Sequence, residues 1–258
     1  MHVTNRTIKY LLLSFFVLFI FFSCSDSDND NDNSKENLEI HFINVGQGDC
    51  TLIIAPNGKT LLVDAGRANM GNSVVAPYLK SLGIDSLQYA IVTHYHSDHY
   101  GGMARVLSED NVPISRYLYD RGDDGYWYSY MDVVGSRRRT LLAGDEIDLD
   151  NDISIECVAS GGNGFDLSEN DMSVAIVLHY GSFDFFVGGD LESTMENLIA
   201  EYVGTVEILQ LNHHGSSTSS TYRFLSALDP ICAIASCSPP EYGHPHSEVV
   251  SRLESLGI

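Results

Sequence analysis

The residues His94-Tyr95-His96-Ser97-Asp98-His99 place three of the chain's ten histidines and a carboxylate within six positions. They follow the uncharged run Tyr89-Ala90-Ile91-Val92. Residues two apart on an extended chain project to the same side, so His94 and His96 can converge on one ion. Asp98 and His99 fall where the chain is expected to turn into a helix, and can face a neighbouring ion. Neutral imidazole with carboxylate is a ligand set for zinc or a similar divalent metal. A solvated loop that is merely histidine-rich is the competing reading, and the clustering weighs against it.

Five further motifs surround this one: Asn44-Val45-Gly46-Gln47-Gly48-Asp49, Leu62-Val63-Asp64-Ala65-Gly66, Gly188-Gly189-Asp190, His213-His214-Gly215-Ser216 and Gly243-His244-Pro245. In this order they resemble the metallo-β-lactamase superfamily, and within it the ComEC-like branch, named for the hydrolase domain of a DNA-uptake protein. The resemblance covers about residues 38 to 258. It implies an α/β (α+β) fold, the αββα sandwich of that superfamily, and two divalent metal ions, zinc or manganese. It is much less specific for substrate, because one fold hosts many reactions.

On this resemblance Asp190 is the carboxylate that bridges two ions, and Asp64 orients a ligand histidine from behind. One of His213 and His214 completes a metal shell, while the other orients substrate or packs. Many family members supply a further histidine from the loop before the bridging carboxylate; here that loop reads Ser168-Glu169-Asn170-Asp171-Met172-Ser173. His94 and His96 are then left with Asp190 and water, unless Asn170 or Asp171 approaches. The other ion has Asp98, His99, Asp190 and one of His213 or His214. Unequal sites are expected, with the weaker one open to a harder metal such as manganese.

Two loops accompany the ligands. Gly46 and Gly48 are expected to shape a tight turn beside the metals, with Asp49 either a loop-stabilising hydrogen-bond acceptor or a substrate-side group. Gly243-His244-Pro245-His246 restricts another loop and aims a histidine at the centre as acid or oxyanion donor, His244 first and His246 next. A plain connector is the alternative reading.

The elements that must position these residues follow from apolar periodicity. Leu38, Ile40 and Phe42 alternate with Glu39 and His41 as a strand, and Cys50–Ala55 and Thr60–Val63 flank a hairpin turn at Pro56-Asn57-Gly58-Lys59. Val74, Val75, Tyr78, Leu79 and Leu82 form a helical stripe closed by Gly83. Residues 88–93 are the strand that delivers the histidines, with a helix beginning at Gly101-Gly102-Met103. Residues 153–159, 173–180, 183–187, 206–211 and 231–236 read as strands, 191–203 as an amphipathic helix, and Val249, Val250, Leu253 and Leu256 as a last helical stripe. Two sheets packed face to face with helices outside are expected. Residues 120–130 are either an aromatic rim or a surface insertion, Arg137-Arg138-Arg139 a solvated strand or turn rather than a phosphate grip, and His179 structural. The chain stops at Gly257-Ile258, where a truncated reading frame is suspected.

Arg6 and Lys9 precede an apolar or small run from Tyr10 to Ser23, ending at Cys24. This describes a secretory signal over residues 1–23, too short for a comfortable membrane span. Phe22-Ser23-Cys24 resembles a bacterial lipobox, which implies a lipid anchor on Cys24; a plain signal peptide or N-terminal anchor is the alternative. Residues 24–37 are acidic and almost free of apolar side chains, and are expected to form a disordered tether that serves surface export or simple spacing.

Of 14 Lys+Arg, two lie in the signal, leaving 12 against 35 Asp+Glu and a formal charge of −23 in the mature chain. Affinity for a phosphate backbone comes mainly from Lys and Arg, so long nucleic acid is disfavoured as a partner and phosphate chemistry must be local to the metals. Cys50, Cys157, Cys232 and Cys237 are expected as free thiols. The leading function is a dinuclear hydrolase in which two close cations activate a bridging water, Asp98 or Asp190 takes its proton, and a small or surface phosphodiester is attacked. Lactone or β-lactam hydrolysis and a non-catalytic surface-binding lipoprotein are the alternatives.

Overall fold

Leu38, Ile40 and Phe42 project from one side of an extended segment, and the same period of two recurs through both halves of the chain. The structure is a computed structural model that describes residues 18–22, 37–123, 127–161, 167–238 and 241–258. Its first sheet runs in sequence order through β1 (Leu18–Phe22), β2 (Leu38–Phe42), β3 (Thr51–Ile54), β4 (Thr60–Val63), β5 (Leu87–Ile91), β6 (Ile114–Asp120) and β7 (Arg138–Thr140). Pairing is antiparallel from β1 to β4 and parallel from β4 to β7. The second sheet holds β8 (Glu146–Asp150), β9 (Ile153–Ala159), β10 (Ala175–Tyr180), β11 (Phe183–Val187), β12 (Ile208–Gln210) and β13 (Cys232–Ile234), again in sequence order. Here β8 to β11 pair antiparallel, and β11 to β13 parallel.

Each strand divides its side chains between two layers. Ile40, Phe42, Leu61, Val63 and Ile91 of the first sheet meet Ile155, Ile176, Leu178 and Phe185 of the second, and the Phe42 and Phe185 rings pack edge to face at 5.7 Å. On the outer face of the first sheet, Leu52, Leu62 and Ala90 are covered by Val75, Leu79, Met103, Val106 and Tyr130 from the helical segments. On the outer face of the second, Val177, Phe186 and Leu209 are covered by the helices Ser193–Val203, Tyr222–Leu228 and Ser247–Leu256. Removing these faces from water is what drives the layers together. The result is the αββα sandwich that the sequence predicts.

Several elements differ from expectation. His41 was expected on a polar face but is fully buried, with Nδ1 at 2.9 Å from the Tyr78 hydroxyl and Nε2 at 2.9 Å from Glu39. The helical stripe forms as Ala68–Met70, a wider π turn over Gly71–Val75, and Ala76–Ser81. The helix after the histidines starts earlier than Gly101, at Ser97–Tyr100, and resumes at Met103–Val106. Among the described aromatics of residues 120–130, the Tyr128 ring stacks on Tyr95 at 4.1 Å, buried Tyr130 donates its hydroxyl to Asp120, and Trp127 is exposed. Residues 124–126 of that stretch lie outside the described residues. Arg138 Nε also donates to Asp120, at 2.7 Å, and the Arg139 guanidinium lies over Tyr117, so the basic run builds the sheet edge rather than gripping phosphate. The four cysteines are free thiols. Leu18–Phe22 forms an edge strand, while the rest of the expected signal, Cys24 and the tether up to residue 36 lie outside the described residues.

Candidate metal centre

Both sheets end their parallel strands at one edge, and the ligands collect there. β4 and β5 run parallel, so Asp64 just after β4 lies beside the chain leaving β5, with Asp64 N donating to Ile91 O at 2.9 Å. Thr93 N donates to Asp64 Oδ1 at 2.9 Å, and the Thr93 hydroxyl to Asp64 Oδ2 at 2.6 Å. His99 Nδ1–H donates to the same Oδ2 at 2.8 Å. Because the Thr93 proton is spent on Asp64, its oxygen accepts from His94 Nδ1, at 3.2 Å. Both contacts occupy Nδ1 and turn Nε2 forward. His94 Nε2 lies 3.0 Å from His96 Nδ1, so the alternation of the motif brings these two nitrogens together.

From the second sheet, β11 leads into Gly188-Gly189-Asp190, and its parallel neighbour β12 leads into the tight turn Asn212–Gly215. His213 and His214 there both have left-handed backbones, at φ 50° and 58°. Asp190 Oδ1 lies 3.1 Å from His99 Nε2 and 3.5 Å from His214 Nε2, and its Oδ2 lies 3.6 Å from His94 Nε2 and 3.8 Å from His213 Nε2. Asp98 Oδ2 is 3.6 Å from His214 Nε2. One carboxylate thus faces two ligand groups: His94 and His96 on one side, with His213 beyond, and Asp98, His99 and His214 on the other. Of the two histidines left open by the sequence, His214 is the one turned to Asp98 and His99.

A carboxylate stands behind three of these rings. Asp64 holds His99, Asp49 Oδ1 lies 3.4 Å from His214 Nδ1, and Glu192 Oε1 lies 3.5 Å from His213 Nδ1. Such partners fix ring direction and raise ligand basicity. Asp49 was expected to brace its loop or face substrate; instead both of its oxygens are buried without a hydrogen bond, aimed at His214 and at His99 Nδ1, 3.9 Å away. Asp49 is close enough to His99, Asp190 and His214 to count as a ligand itself, but it sits on the Nδ1 side of both rings, away from the nitrogens that face Asp190. Its place is set by Gly48, where any Cβ would overlap the Asp98 carbonyl.

These residues fit divalent ions. Asp190 Oδ1, His99 Nε2, both His214 ring nitrogens and both Asp49 oxygens are buried with no hydrogen-bond partner, a costly state that cations would relieve. Burial favours neutral His214, but Asp190, Asp49 and Asp98 outweigh it and push the ring up to about 10. Burial also opposes the His99 charge, and Asp190 and Asp64 overcome it to raise His99. In return, His99, His214 and His94 hold the buried Asp190 well below the usual carboxylate range. Such mutual holding of charge is what a cation-binding centre shows when its nitrogens carry protons in place of metal.

In front of the ligands lies a cleft of about 300 Å³, whose wall includes Gln47, Tyr242 and His244. His244 is buried, with Nδ1 3.3 Å from Gln47 Nε2. Burial, followed by His246, His214 and His213, lowers it to about 4. His246 is not a second acid: its Nδ1 accepts from Ser217 N at 2.9 Å and its Nε2–H donates to the Tyr242 carbonyl at 3.0 Å, so it braces the loop. Asp171 does not supply the missing ligand. Asn170 Nδ2 donates to Glu192 Oε1 at 3.5 Å while its Oδ1 is buried with no hydrogen-bond partner among the described residues, and Asp171 Oδ1 accepts from Glu192 N and Met195 N at the start of the Ser193–Val203 helix. Gln47 lay within the Asn44–Asp49 motif without a role assigned to it, and Glu192 and the Arg67–Glu241 ion pair (2.7 Å), which ties the Gly66 turn to the His244 loop, carried no signal of their own in the sequence.

Residues 43–236 match the metallo-beta-lactamase superfamily model, and the chain belongs to that superfamily. Among curated relatives it is 29% identical over 255 residues to "Recombination protein 2" of Haemophilus influenzae, covering 96% of this chain and 30% of the relative. It is 26% identical over 242 residues to "ComE operon protein 3" of Bacillus subtilis, covering 85% and 31%. It is 27% identical over 219 residues to "Competence protein ComA" of Neisseria gonorrhoeae, covering 83% and 29%. These place it in the ComEC-like branch, and it spans about a third of the length of these relatives. In fold it is similar to a putative metal-dependent hydrolase of Parabacteroides distasonis, with a TM-score of 0.57 at 13% identity over 93% of this chain and 94% of that one. The metallo-beta-lactamase fold protein YhfI of Bacillus subtilis gives 0.53 at 12% identity over 85% and 93%.

Proposed function

We propose that this chain is a metal-dependent hydrolase that uses two divalent ions, zinc or manganese, to cleave a small or surface-borne phosphodiester. The observation that carries this reading is Asp190, whose two oxygens face two separate imidazole groups. Ions held there would supply an activated water and offset the charge that develops on the attacked group. Asp98 and Asp190 serve as fixed anions around that water, and Asp98, the more exposed of the two, is the one able to reach a proton in the cleft. His244 lines the same cleft as an uncharged ring.

The charge around the cleft favours a diester over a monoester. No Lys or Arg is among the described residues lining it, and the carboxylates Asp49, Asp64, Asp98 and Asp190 formally balance two divalent ions. A singly charged diester then leaves less charge without a cationic partner than a doubly charged monoester. Relatives named for recombination and competence are in keeping with phosphodiester chemistry, while the chain's formal charge of −21 disfavours long nucleic acid.

Export and lipid attachment at Cys24 belong to the same reading, supported by the basic start and the apolar run before it. Among the described residues no helix is long and apolar enough to cross a membrane. The test of substrate class is a chromogenic panel of a bis-aryl phosphodiester, an aryl phosphomonoester, a lactone and a cephalosporin, run with zinc and with manganese. Turnover greatest on the diester is the expected result. Turnover confined to the lactone or cephalosporin would replace the phosphodiester with a carbonyl substrate, and none with any metal would leave a binding protein.

A further inference from the structure

Gln47 sits in the wall of the cleft with 2% of its surface exposed, so its amide has no room to turn toward water. Ser238 N lies 3.2 Å from its Oε1, and a backbone N–H can only donate, so that oxygen is the acceptor. The amide nitrogen is thereby turned the other way, toward His244 Nδ1 at 3.3 Å. An N–H directed at Nδ1 requires a lone pair there. A ring with its lone pair on Nδ1 carries its proton on Nε2, and a doubly protonated ring would set two N–H groups against each other. Among the described residues His244 has no other hydrogen-bond partner, and its Nε2 is left to the cleft it lines.

The geometry points to Gln47 as a positioning residue that locks His244 in the neutral Nε2–H form, making His244 a hydrogen-bond donor to an oxygen of the attacked group rather than a base. The consequence for substrate rests on the hydrolase reading above; the state of the ring does not. Neighbouring His246 shows how the surroundings choose a tautomer in this loop, since Ser217 N–H and the Tyr242 carbonyl leave it only the Nε2–H form. The difference is that His246 spends its proton on the backbone, whereas His244 keeps its proton for the cleft. The contact joins positions 197 residues apart, so it also ties the loop before β3 to the loop that carries His244.

The test is made on the zinc-loaded protein labelled with ¹⁵N-histidine, using long-range ¹H–¹⁵N correlations and assigning His244 by its loss in His244→Asn. The expected spectrum shows Nε2 protonated and Nδ1 bare. In Gln47→Glu the new carboxylate accepts instead of donating, so a proton should appear on Nδ1, in either the neutral or the charged ring. In Gln47→Met neither demand remains, and the ring should divide between both forms. A wild-type ring protonated on Nδ1 overturns the proposal, and so does a ring that stays wholly Nε2–H in the variants that fold. Where the Gln47→Glu ring is neutral its Nε2 has no proton, and kcat on a bis-aryl phosphodiester should fall by about 10²–10³-fold, the loss associated with one oxyanion donor, with a smaller change in KM; a charged ring keeps the Nε2–H donor and should keep turnover. Because the spectrum needs no substrate, a wrong tautomer and a wrong reaction class are told apart.

Discussion

Asp64 Oδ2 lies 2.8 Å from His99 Nδ1, and both side chains are completely buried. This single contact turns the opposite nitrogen of His99 onto Asp190 Oδ1, 3.1 Å away. The same carboxylate also takes the amide and hydroxyl protons of Thr93, so the β4 and β5 strand ends and a metal-facing ring are fixed together. Rigid strand ends of this kind hold a site to the geometry that ligation needs.

Asp64→Asn keeps the shape but removes the charge behind His99. Orienting partners of this type typically contribute 10–100-fold to metal affinity. Competition against a chromophoric chelator should show the tighter ion weakened by about that factor, with the far-ultraviolet spectrum unchanged. Unaltered affinity would show that His99 needs no acidic partner.

Metal binding should release protons. Without ions His99 and His214 are both raised, His214 to about 10, so at neutral pH each ring carries a proton that a ligand nitrogen must give up. The sign follows directly: affinity rises with pH up to the region where the rings lose their protons unaided. Calorimetry at pH 7 in buffers of different ionisation heat should report net proton release on zinc binding. A buffer-independent heat would contradict it.

His213 and His214 should affect different ions. His214 faces Asp98 and His99, whereas His213 Nε2 lies 3.8 Å from the Asp190 oxygen that faces His94. Titration of the metal-free protein is expected to give a tight and a weak event. His214→Ala should remove the tight event, and His213→Ala should weaken only the other. Loss of the same event in both variants would defeat the assignment.

The histidine motif was legible because ligand chemistry is written in residue type and spacing: His94 and His96 share a side of any extended chain, and Asp190 ends an apolar strand. The strand pattern likewise gave both sheets, since Ile176 and Leu178 must face one way and Val177 the other. What escaped was set by partners distant in sequence. Gln47 meets His244 across 197 positions and Arg67 meets Glu241 across 174, and neither residue type is distinctive alone. The choice between His213 and His214 depends on Asp49 and Glu192, which come from separate loops. β6 was missed because Ser115 and Arg116 interrupt the apolar alternation, and the arginine run, read as a strand or turn, gave no sign that Arg138 is held by Asp120 from the neighbouring strand.

The mature protein should begin at Cys24 and carry lipid, which removes Leu18–Phe22 and leaves β2 as the edge strand of the first sheet. Intact-mass and peptide spectra of membrane-extracted protein are expected to find a diacylglyceryl group on that cysteine. An unmodified N-terminus downstream of Cys24 would rule out the anchor.

The most direct measurement is turnover of a bis-aryl phosphodiester against equivalents of zinc or manganese, in wild type and in Asp190→Ala. Metal-free wild type should be inactive, activity should climb as the second equivalent binds, and Asp190→Ala should stay folded while losing bound metal and turnover together. Full turnover by metal-free protein or by Asp190→Ala would contradict a hydrolase built around a shared Asp190.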